Sequence, residues 1–511
     1  MLARIKSSAV LGIQAYIVEV EVDISFGLPV FNIVGLPETA VRESRERVKS
    51  AVKNSGYRFP GDRIIVNLAP AAIKKEGTNL DLPVAVGILS AFKIVPLDKG
   101  SKFLMVGELS LDGRVKSVPG VLSAAIAAKD NGLAGVIVPF GNRMEASIVK
   151  GVEVIPVKTL SEVVEFLSER LVIEPMGDDL FSSMDGESFG SQVDFFEVMG
   201  QNNAKRALEV AAAGGHNLVM TGPPGSGKTM LAKRLPSILP RLTFDEALET
   251  TQIYSVLGLL KEEHPLVMER PFRSPHHTIS DAGLVGGGHQ PAPGEVTLAH
   301  NGVLFMDELP EFKRNVLEAL RQPMEDGVVS IARAGYRVRY PALFMLVGAM
   351  NPCACGYYGD SVKECACSIS QVRRYRARIS GPLLDRIDIH VDVPQVPFRE
   401  LSQSTIPEAS FCVRKRVERA RQLQLERFQG TGIYSNAQMG AAHIKRFASL
   451  DGEAVALIQR AVDKLGMSAR GHSRVVKIAR TIADIEETPL ILHRHIAEAI
   501  QYRSIDRKDN L

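Results

Sequence analysis

The octapeptide GPPGSGKT at residues 222–229 decides the fold of the central part of this chain. Its spacing, G-x-x-x-x-G-K-[ST], is that of a phosphate-binding loop, in which small residues let backbone N–H groups turn towards phosphate oxygens. The apolar run HNLVM precedes the loop and the helix-forming MLAKRL follows it, so the amino end of a helix would face the phosphates. This order of segments predicts a nucleoside triphosphate site on an α/β domain.

The loop residues have expected roles in holding ATP and Mg²⁺. Lys228 should reach the β and γ phosphates, and the hydroxyl of Thr229 should bind Mg²⁺. The residues predicted to contact the nucleotide are Gly222, Pro223, Pro224, Gly225, Ser226, Gly227, Lys228 and Thr229.

Two later apolar runs end in polar residues that would complete the chemistry. GVLFMDE ends in Asp307 and Glu308, and ALFMLVGAMN ends in Asn351. We predict that Asp307 joins Thr229 around Mg²⁺ and that Glu308 is the general base. Asn351 is predicted to sense the attacking water or the γ phosphate. Acids at a strand end are also common in solvated loops, so these roles depend on the phosphate loop in the same domain.

The segment GPLLDRIDIH places Arg386 between two acids. Phosphoryl transfer is accelerated by a cation that touches the γ phosphate in the transition state, and a neighbouring subunit can supply it as an arginine. A surface Arg–Asp pair of little energetic value is the alternative interpretation.

Four of the five cysteines lie close together, in the pattern C-x-C-x9-C-x-C between residues 353 and 367. In a reducing compartment such a cluster indicates metal ligands rather than disulfides. The predicted ligands of a structural Zn²⁺ are Cys353, Cys355, Cys365 and Cys367. Reduced thiols, disulfides and an iron–sulfur cluster remain alternatives. Cys412 stands alone on a helical stretch and is expected to be a small buried hydrophobe.

Length and composition are typical of a multidomain globular protein. The chain has 511 residues, with 45% apolar and 23% charged residues. Neither a secretory leader pattern nor a long apolar run is found, so a soluble, cytoplasmic protein with no membrane association is expected. The formal charge of +3 says nothing by itself about nucleic acid.

The pattern of strands and helices predicts an α/β fold class with three domains. Residues 1–170 form one α/β domain, and residues 171–193 are an acidic linker. Residues 194–395 form the ATPase core with the cysteine loop at 353–367, and residues 396–511 form a helical domain.

These motifs together resemble AAA+ ATPases of the magnesium-chelatase-like group. Over nearly its full length the chain resembles the ComM/YifB family of DNA branch-migration helicases linked to natural transformation. Long stretches such as FRSPHHTISDAGLVGGG and NPCACGYYGD carry this resemblance. It implies an AAA+ P-loop core with a helical lid, preceded by an α/β domain like the Lon protease domain, which is ribosomal S5-like. It also implies a homo-hexamer, ATP bound between neighbours, and DNA as the partner.

The resemblance assigns further roles to arginines. Arg386 matches the arginine finger, while Arg470 matches the second sensor, with Arg474 one turn later as the alternative. The segment GVVSIARAGYRVRYP reads as a hairpin around Gly335, similar to a hairpin that pushes on DNA. The residues expected to face DNA in a central pore are Arg333, Arg337 and Arg339. A solvated basic face is the alternative.

Other positions argue against competing functions. The nucleophilic serine and the lysine of Lon-type proteases correspond to Asn79 and Leu122, which supply neither a nucleophile nor a base. His276, His277 and His289 are interpreted as loop histidines and not as metal ligands. The leading prediction is a ComM-type ATP-dependent DNA motor, a hexameric branch-migration helicase. The alternative is a protein-remodelling ATPase that acts on a partner complex, as in magnesium chelatase.

Overall fold

The computed structural model describes residues 2–75, 77–176, 193–288, 292–333, 336–360, 362–396, 408–465 and 467–503. The chain divides into two compact units. Unit 1 comprises Met1–Ser188 and Phe244–Val267, and unit 2 comprises Phe189–Thr243 and Met268–Leu511.

Strands and helices are numbered in chain order. The strands are β1 (Leu2–Leu11), β2 (Gln14–Ser25), β3 (Val30–Val34), β4 (Arg63–Ala69), β5 (Phe103–Met105), β6 (Glu108–Leu109), β7 (Val115–Lys116), β8 (Gly135–Pro139), β9 (Glu153–Val157), β10 (Leu218–Thr221), β11 (Phe272–Arg273), β12 (Gly286–Gly287), β13 (Ala292–Pro293), β14 (Val303–Met306), β15 (Val328–Arg333), β16 (Tyr336–Pro341), β17 (Met345–Met350) and β18 (Ile389–Asp392). The α-helices are α1 (Thr39–Asn54), α2 (Asp81–Ala91), α3 (Leu97–Gly100), α4 (Val121–Asp130), α5 (Arg143–Ala146), α6 (Leu160–Leu167), α7 (Asn202–Gly214), α8 (Lys228–Arg234), α9 (Phe244–Val256), α10 (Asp281–Val285), α11 (Glu295–Leu298), α12 (Arg314–Ala319), α13 (Arg321–Asp326), α14 (Ile369–Arg376), α15 (Gly381–Leu384), α16 (Ser410–Arg427), α17 (Ala441–Phe447), α18 (Gly452–Leu465), α19 (Ala469–Ile485) and α20 (His493–Gln501).

Unit 1 is built on a seven-stranded mixed sheet with the order β3-β4-β2-β1-β5-β8-β9. The long antiparallel pair β1 and β2 lies at its centre, and β5, β8 and β9 run parallel to one another. Helix α2 is buried along its whole length. It packs closely because Gly87 faces the sheet, where a Cβ atom would lie 2.7 Å from the side chain of Val22.

Asn79 and Leu122, the two positions predicted to correspond to a protease dyad, have structural roles in unit 1. The side-chain amide of Asn79 donates a hydrogen bond to the carbonyl of Ser8 at 2.7 Å. Leu122 is fully buried, and its backbone N–H donates to the carboxylate of Glu145 at 2.9 Å. Both groups therefore stabilise the fold.

The segment Phe244–Val267 belongs to unit 1, although the sequence division places it inside residues 194–395. Its helix α9 packs on α4. The carbonyl of Ser255 accepts a hydrogen bond from the N–H of Gly120 at 3.0 Å, and the hydroxyl of Ser255 donates to Glu145. The chain thus leaves unit 2 after Thr243 and re-enters it at Met268.

Unit 2 is built on a five-stranded parallel sheet with the order β11-β14-β17-β10-β18. Strands β10, β14 and β17 are buried on both faces, which explains why they read as continuous apolar runs. All five carboxyl ends meet at one edge, where α/β folds place their ligands. The predicted α/β class is confirmed, and no helix within the described ranges is long and apolar enough to cross a membrane.

Candidate nucleotide site and cysteine cluster

The phosphate-binding loop leaves the carboxyl end of β10 and leads into α8, which begins at Lys228. Gly225 and Gly227 adopt φ angles of 76° and 89°, a region in which side chains other than glycine are strained. Gly222 is equally constrained, because a Cβ atom there would lie 2.1 Å from the carbonyl oxygen of Val393. The predicted loop is therefore present with its glycines where the backbone needs them.

The ammonium group of Lys228 is buried inside this loop. It donates hydrogen bonds to the carbonyls of Gly222 and Pro223, both at 2.8 Å, and lies 3.3 Å from the side-chain oxygen of Asn351. Burial lowers the pKa of Lys228, and the charge of Asp307 opposes that shift. A phosphate group would supply the counter-charge that the buried ammonium lacks.

Two oxygens at the edge of the sheet are arranged as magnesium ligands. The hydroxyl of Thr229 donates a hydrogen bond to Oδ2 of Asp307 at 2.7 Å. Adjacent ligands of an octahedral Mg²⁺ at about 2.1 Å lie about 3 Å apart, so this pair fits the ion. The other oxygen of Asp307 accepts the backbone N–H of Glu308 at 2.9 Å, which orients the carboxylate.

The carboxylate of Glu308 points into an open part of the site. Its backbone has a φ angle of 51°, and its side chain is 61% exposed. Nδ1 of His277 lies 3.5 Å from Oε2 of Glu308. The ring of His277 in turn packs against that of His276 at a tilt of 33°, with ring centroids 4.1 Å apart, and meets the ring of Phe312 edge-on. The candidate base therefore has a histidine neighbour.

The interpretation of His277 as a loop histidine did not include its position beside Glu308. The available signal was its position a few residues after β11, because loops that follow parallel strands converge on one edge. His289 lies outside the described residues.

The arginine expected to act as a finger lies at the other end of the sheet. The backbone carbonyl of Arg386 accepts a hydrogen bond from Asn217, which immediately precedes β10. The phosphate-binding loop follows β10, whose 4 residues span about 13 Å. The guanidinium of Arg386 pairs with Glu325 and donates to the carbonyl of Pro382 at 2.6 Å. Arg386 is therefore separated from the loop of its own chain.

The two candidates for the second sensor differ in environment. Arg470 is exposed in the first turn of α19. Arg474 is mostly buried, and its guanidinium lies 3.3 Å from the carboxylate of Asp388. Burial of Asp388 would raise its pKa, but a hydrogen bond from His216 and the charges of His216 and Arg474 hold that pKa below its ordinary value. This charge cluster attaches the lid helix α19 to the amino end of β18.

The expected hairpin is formed by β15 and β16, which pair from Val328 opposite Pro341 to Arg333 opposite Tyr336. Val338 and Tyr340 are buried, while Arg339 between them is exposed. The side chains of Arg333 and Arg337 lie outside the described part of the structure.

The four clustered cysteines bring their sulfur atoms together beside the nucleotide site. Distances between Sγ atoms are 3.3 Å for Cys353 and Cys355, 3.7 Å for Cys353 and Cys365, and 3.5 Å for Cys355 and Cys365. All four ligand atoms lie within 4.8 Å of one another. Among the described residues this is the only group of three or more His, Cys, Asp or Glu side chains close enough to hold one metal ion.

The chemistry of the cluster suits a cation. A hydrogen bond from the backbone N–H of Tyr357, followed by one from Cys353, lowers the pKa of Cys355 to about 6. Although a backbone hydrogen bond lowers each value, burial and the neighbouring sulfurs raise the pKa of Cys365 to about 12 and raise that of Cys367 as well. One thiolate therefore forms readily, and a cation would offset the repulsion between further thiolates. A thiolate is the form of cysteine that binds metal.

Cys412 lies outside the cluster and is exposed, so the expectation that it is buried was wrong. Cys412 lies on the exposed face of helix α16. Its small apolar side chain alone did not indicate which face of the helix it occupies.

Three family models match the chain. Residues 194–401 match the model described as magnesium chelatase, subunit ChlI, residues 20–142 match subunit ChlI of Mg-chelatase, and residues 407–503 match the C-terminal part of that subunit. The chain is 42% identical over 507 residues to YifB of Escherichia coli and to competence protein ComM of Haemophilus influenzae, covering 99% of this chain and 98% of each relative. The chain belongs to the ComM/YifB family.

This ComM/YifB chain therefore has a magnesium-chelatase-like AAA+ core, as its motifs predict. Lon protease 2 of Bacillus subtilis is 34% identical over 139 residues, which are 27% of this chain and 24% of that protease. The similarity falls in the N-terminal region, so the Lon-like character predicted there is also confirmed.

The cluster geometry predicts a metal site that needs the paired cysteines. Replacing both Cys353 and Cys355 with serine should abolish stoichiometric metal binding, because two of the four thiolates are lost. Metal content of the purified protein, measured by mass spectrometry, checks this. The matched control is Cys412→Ser, which removes a cysteine outside the cluster and should leave the metal content unchanged. Equal metal content in all three proteins would contradict the site.

Proposed function

We propose that this protein is an ATP-dependent DNA motor of the ComM type, a hexameric helicase that drives branch migration of recombination intermediates during natural transformation. The observation that carries the proposal is the convergence of Lys228, Asp307 and Asn351 around the phosphate loop, in a chain similar to a competence protein along its whole length. The convergence supports ATP hydrolysis, and the similarity supports DNA as the partner.

Hydrolysis follows from the roles that the side chains take at the sheet edge. Lys228 and the backbone N–H groups of the loop would hold the triphosphate, and Thr229 and Asp307 would hold Mg²⁺, which would supply positive charge beside the phosphates. Glu308 is exposed at the edge of the site, where it accepts a proton from the attacking water. Asn351 contacts Lys228, and this neighbourhood supports the proposal that its amide hydrogen-bonds either that water or the γ phosphate.

The distance between Arg386 and its own phosphate loop supports a site shared between subunits. A strand separates the two groups within one chain, so Arg386 is proposed to serve the nucleotide bound by a neighbour. Arg474 lies at the same end of the sheet and is held by Asp388, whereas Arg470 is free of that cluster and exposed. We keep Arg470 as the proposed second sensor, acting across the same interface.

The proposed DNA contact is the β15–β16 hairpin with Arg333, Arg337 and Arg339. Arg339 is exposed on this hairpin, and an exposed arginine suits contact with a phosphate backbone, which carries sequence-independent affinity. The cysteine cluster is proposed to hold a structural Zn²⁺, because sulfur atoms at about 2.3 Å from a tetrahedral zinc lie about 3.8 Å apart, close to the observed separations.

A second candidate is a protein-remodelling ATPase that acts on a partner complex. The matches of the core and the lid to the magnesium chelatase subunit favour it. The two functions differ in what stimulates hydrolysis, since a DNA motor responds to DNA and a protein remodeller does not.

The first prediction of the proposed function concerns stimulation of ATP hydrolysis by DNA and the role of Glu308 as general base. Single-stranded DNA or a synthetic four-way junction should raise the rate of ATP hydrolysis several-fold. Glu308→Gln should lower that rate by about a hundredfold or more, because the amide accepts no proton from water. Phosphate release by purified protein, with and without each DNA, measures both effects. A Glu308-dependent rate that no DNA alters would favour the protein-remodelling candidate.

The second prediction tests the shared site. Arg386→Ala and Lys228→Ala should each be nearly inactive alone, with a loss of about a thousandfold for the arginine. Mixing the two proteins should restore part of the activity, because an intact loop of one then meets an intact arginine of the other. The control adds Lys228→Ala/Arg386→Ala to Arg386→Ala, a mixture in which no arginine is available. If both mixtures stay equally inactive, Arg386 does not act between subunits.

The third prediction concerns the hairpin. Arg339→Ala should weaken binding of single-stranded DNA and reduce the dependence of log affinity on log salt by about one. Fluorescence anisotropy of a labelled oligonucleotide over a salt series measures both quantities. Arg460→Ala removes an exposed arginine from the lid and serves as the control for the loss of one positive charge. Equal effects of the two substitutions would remove the hairpin from the proposed DNA surface.

A further inference from the structure

The cysteine loop touches the phosphate-binding loop directly. Gly356 is buried and has a φ angle of 89°. A Cβ atom added there would lie 2.5 Å from Cδ and 2.8 Å from Cγ of Pro224, closer than real Cβ atoms approach other atoms. The backbone at Gly356 and the ring of Pro224 are thus packed against each other with no room for a side chain.

This contact adjoins the first two cysteines of the cluster, Cys353 and Cys355. Gly356 follows Cys355 in the chain, and its N–H donates a hydrogen bond to the carbonyl of Cys353 at 3.0 Å. The preceding carbonyl, that of Pro352, accepts a hydrogen bond from the guanidinium of Arg376 at 3.3 Å. The position of Gly356 is therefore set by how the sulfur atoms of Cys353 and Cys355 are held.

The phosphate loop is supported on two sides. Gly222 packs against the carbonyl of Val393, and Pro224 packs against Gly356. Beyond them, a Cβ atom added at Gly225 would meet no atom of the described residues within 4 Å. The first half of the loop is thus held by neighbouring residues, whereas the chain at Gly225 has open space beside it.

We infer that Gly356 is a positioning residue for the phosphate loop, through which metal bound at the cysteine cluster sets the affinity for nucleotide. A metal bound by four thiolates orders a loop that has no apolar core of its own. An ordered loop holds Pro224 in place before the nucleotide arrives, and this preorganisation lowers the cost of binding. The inference rests on the proposed function only in taking adenine nucleotide as the ligand.

The test compares two glycines of the same loop. Gly356→Ala should weaken binding of a fluorescent ADP analogue by about tenfold, because the added methyl group displaces Pro224. Gly359→Ala is the matched control, since Gly359 also has a positive φ angle, 77°, but an added Cβ there meets no described atom within 4 Å. Binding is measured by titration, and metal content is measured on both variants.

Two further measurements separate positioning from misfolding. Gly356→Ala should unfold thermally within a few degrees of Gly359→Ala, so that a loss of affinity confined to Gly356→Ala is not a folding defect. Stripping metal with a chelator should weaken binding to the otherwise unchanged protein by a similar factor, and zinc should reverse the loss. The same treatment should add little to the defect of Gly356→Ala, because the two changes break one contact.

The outcomes are distinct. Equal losses of nucleotide affinity in Gly356→Ala and Gly359→Ala would mean that backbone strain in the loop, and not contact with Pro224, weakens binding. This result would overturn the inference. Unchanged affinity in Gly356→Ala, or in the metal-stripped protein, would overturn it as well while leaving the proposed function intact. Absence of nucleotide binding by the unchanged protein would overturn the proposed function, and the inference with it.

Discussion

The hydrogen bonding of the buried Lys228 ammonium is the interaction on which the rest of the nucleotide site depends. A charged group removed from water must be surrounded by hydrogen-bond acceptors. Lys228 finds them in two carbonyls of its own loop and in the side chain of Asn351. Because Asn351 follows β17 and the loop follows β10, one cation fixes both the curvature of the loop and the ends of two adjacent strands. The N–H of Gly222 strengthens this arrangement by donating to the carbonyl of Met350 at 3.2 Å.

The sheet that assembles this site also keeps Arg386, the arginine proposed as a finger, away from it. Parallel strands place their carboxyl ends at one edge, so residues that precede a strand necessarily lie at the other edge. Arg386 precedes β18, and Asp388, His216 and Arg474 form the charge cluster beside it. The same topology therefore explains why one chain holds a complete phosphate loop while Arg386 lies at the opposite edge of the sheet. The proposed sharing of the site between subunits rests on this separation.

The sequence could predict those parts of the site that short patterns determine. Thr229, Asp307 and Asn351 each follow a buried apolar strand, and the convergence of parallel strands brings them together without further information. Contacts between distant loops left no such pattern. His277 beside Glu308, and Gly356 against Pro224, depend on the exact path of loops that have little periodicity. That Phe244–Val267 belongs to unit 1 could not be predicted either, because the sequence of α9 is like that of any helix in an α/β core.

Unit 1 illustrates why a fold persists when its chemistry changes. Its core is formed by the seven-stranded sheet and the buried helix α2, and neither needs a nucleophile. The carboxylate of Asp81 at the start of that helix is held by the guanidinium of Arg47 through bonds of 2.8 and 3.1 Å. Nearby, Asn79 bonds a backbone carbonyl and Leu122 packs in the core, so both positions now contribute to stability. A polar group that satisfies the backbone and an apolar group that fills space can both be buried at little cost. Unit 1 therefore keeps a Lon-like region whose buried side chains serve packing, and the candidate nucleotide site lies wholly in unit 2.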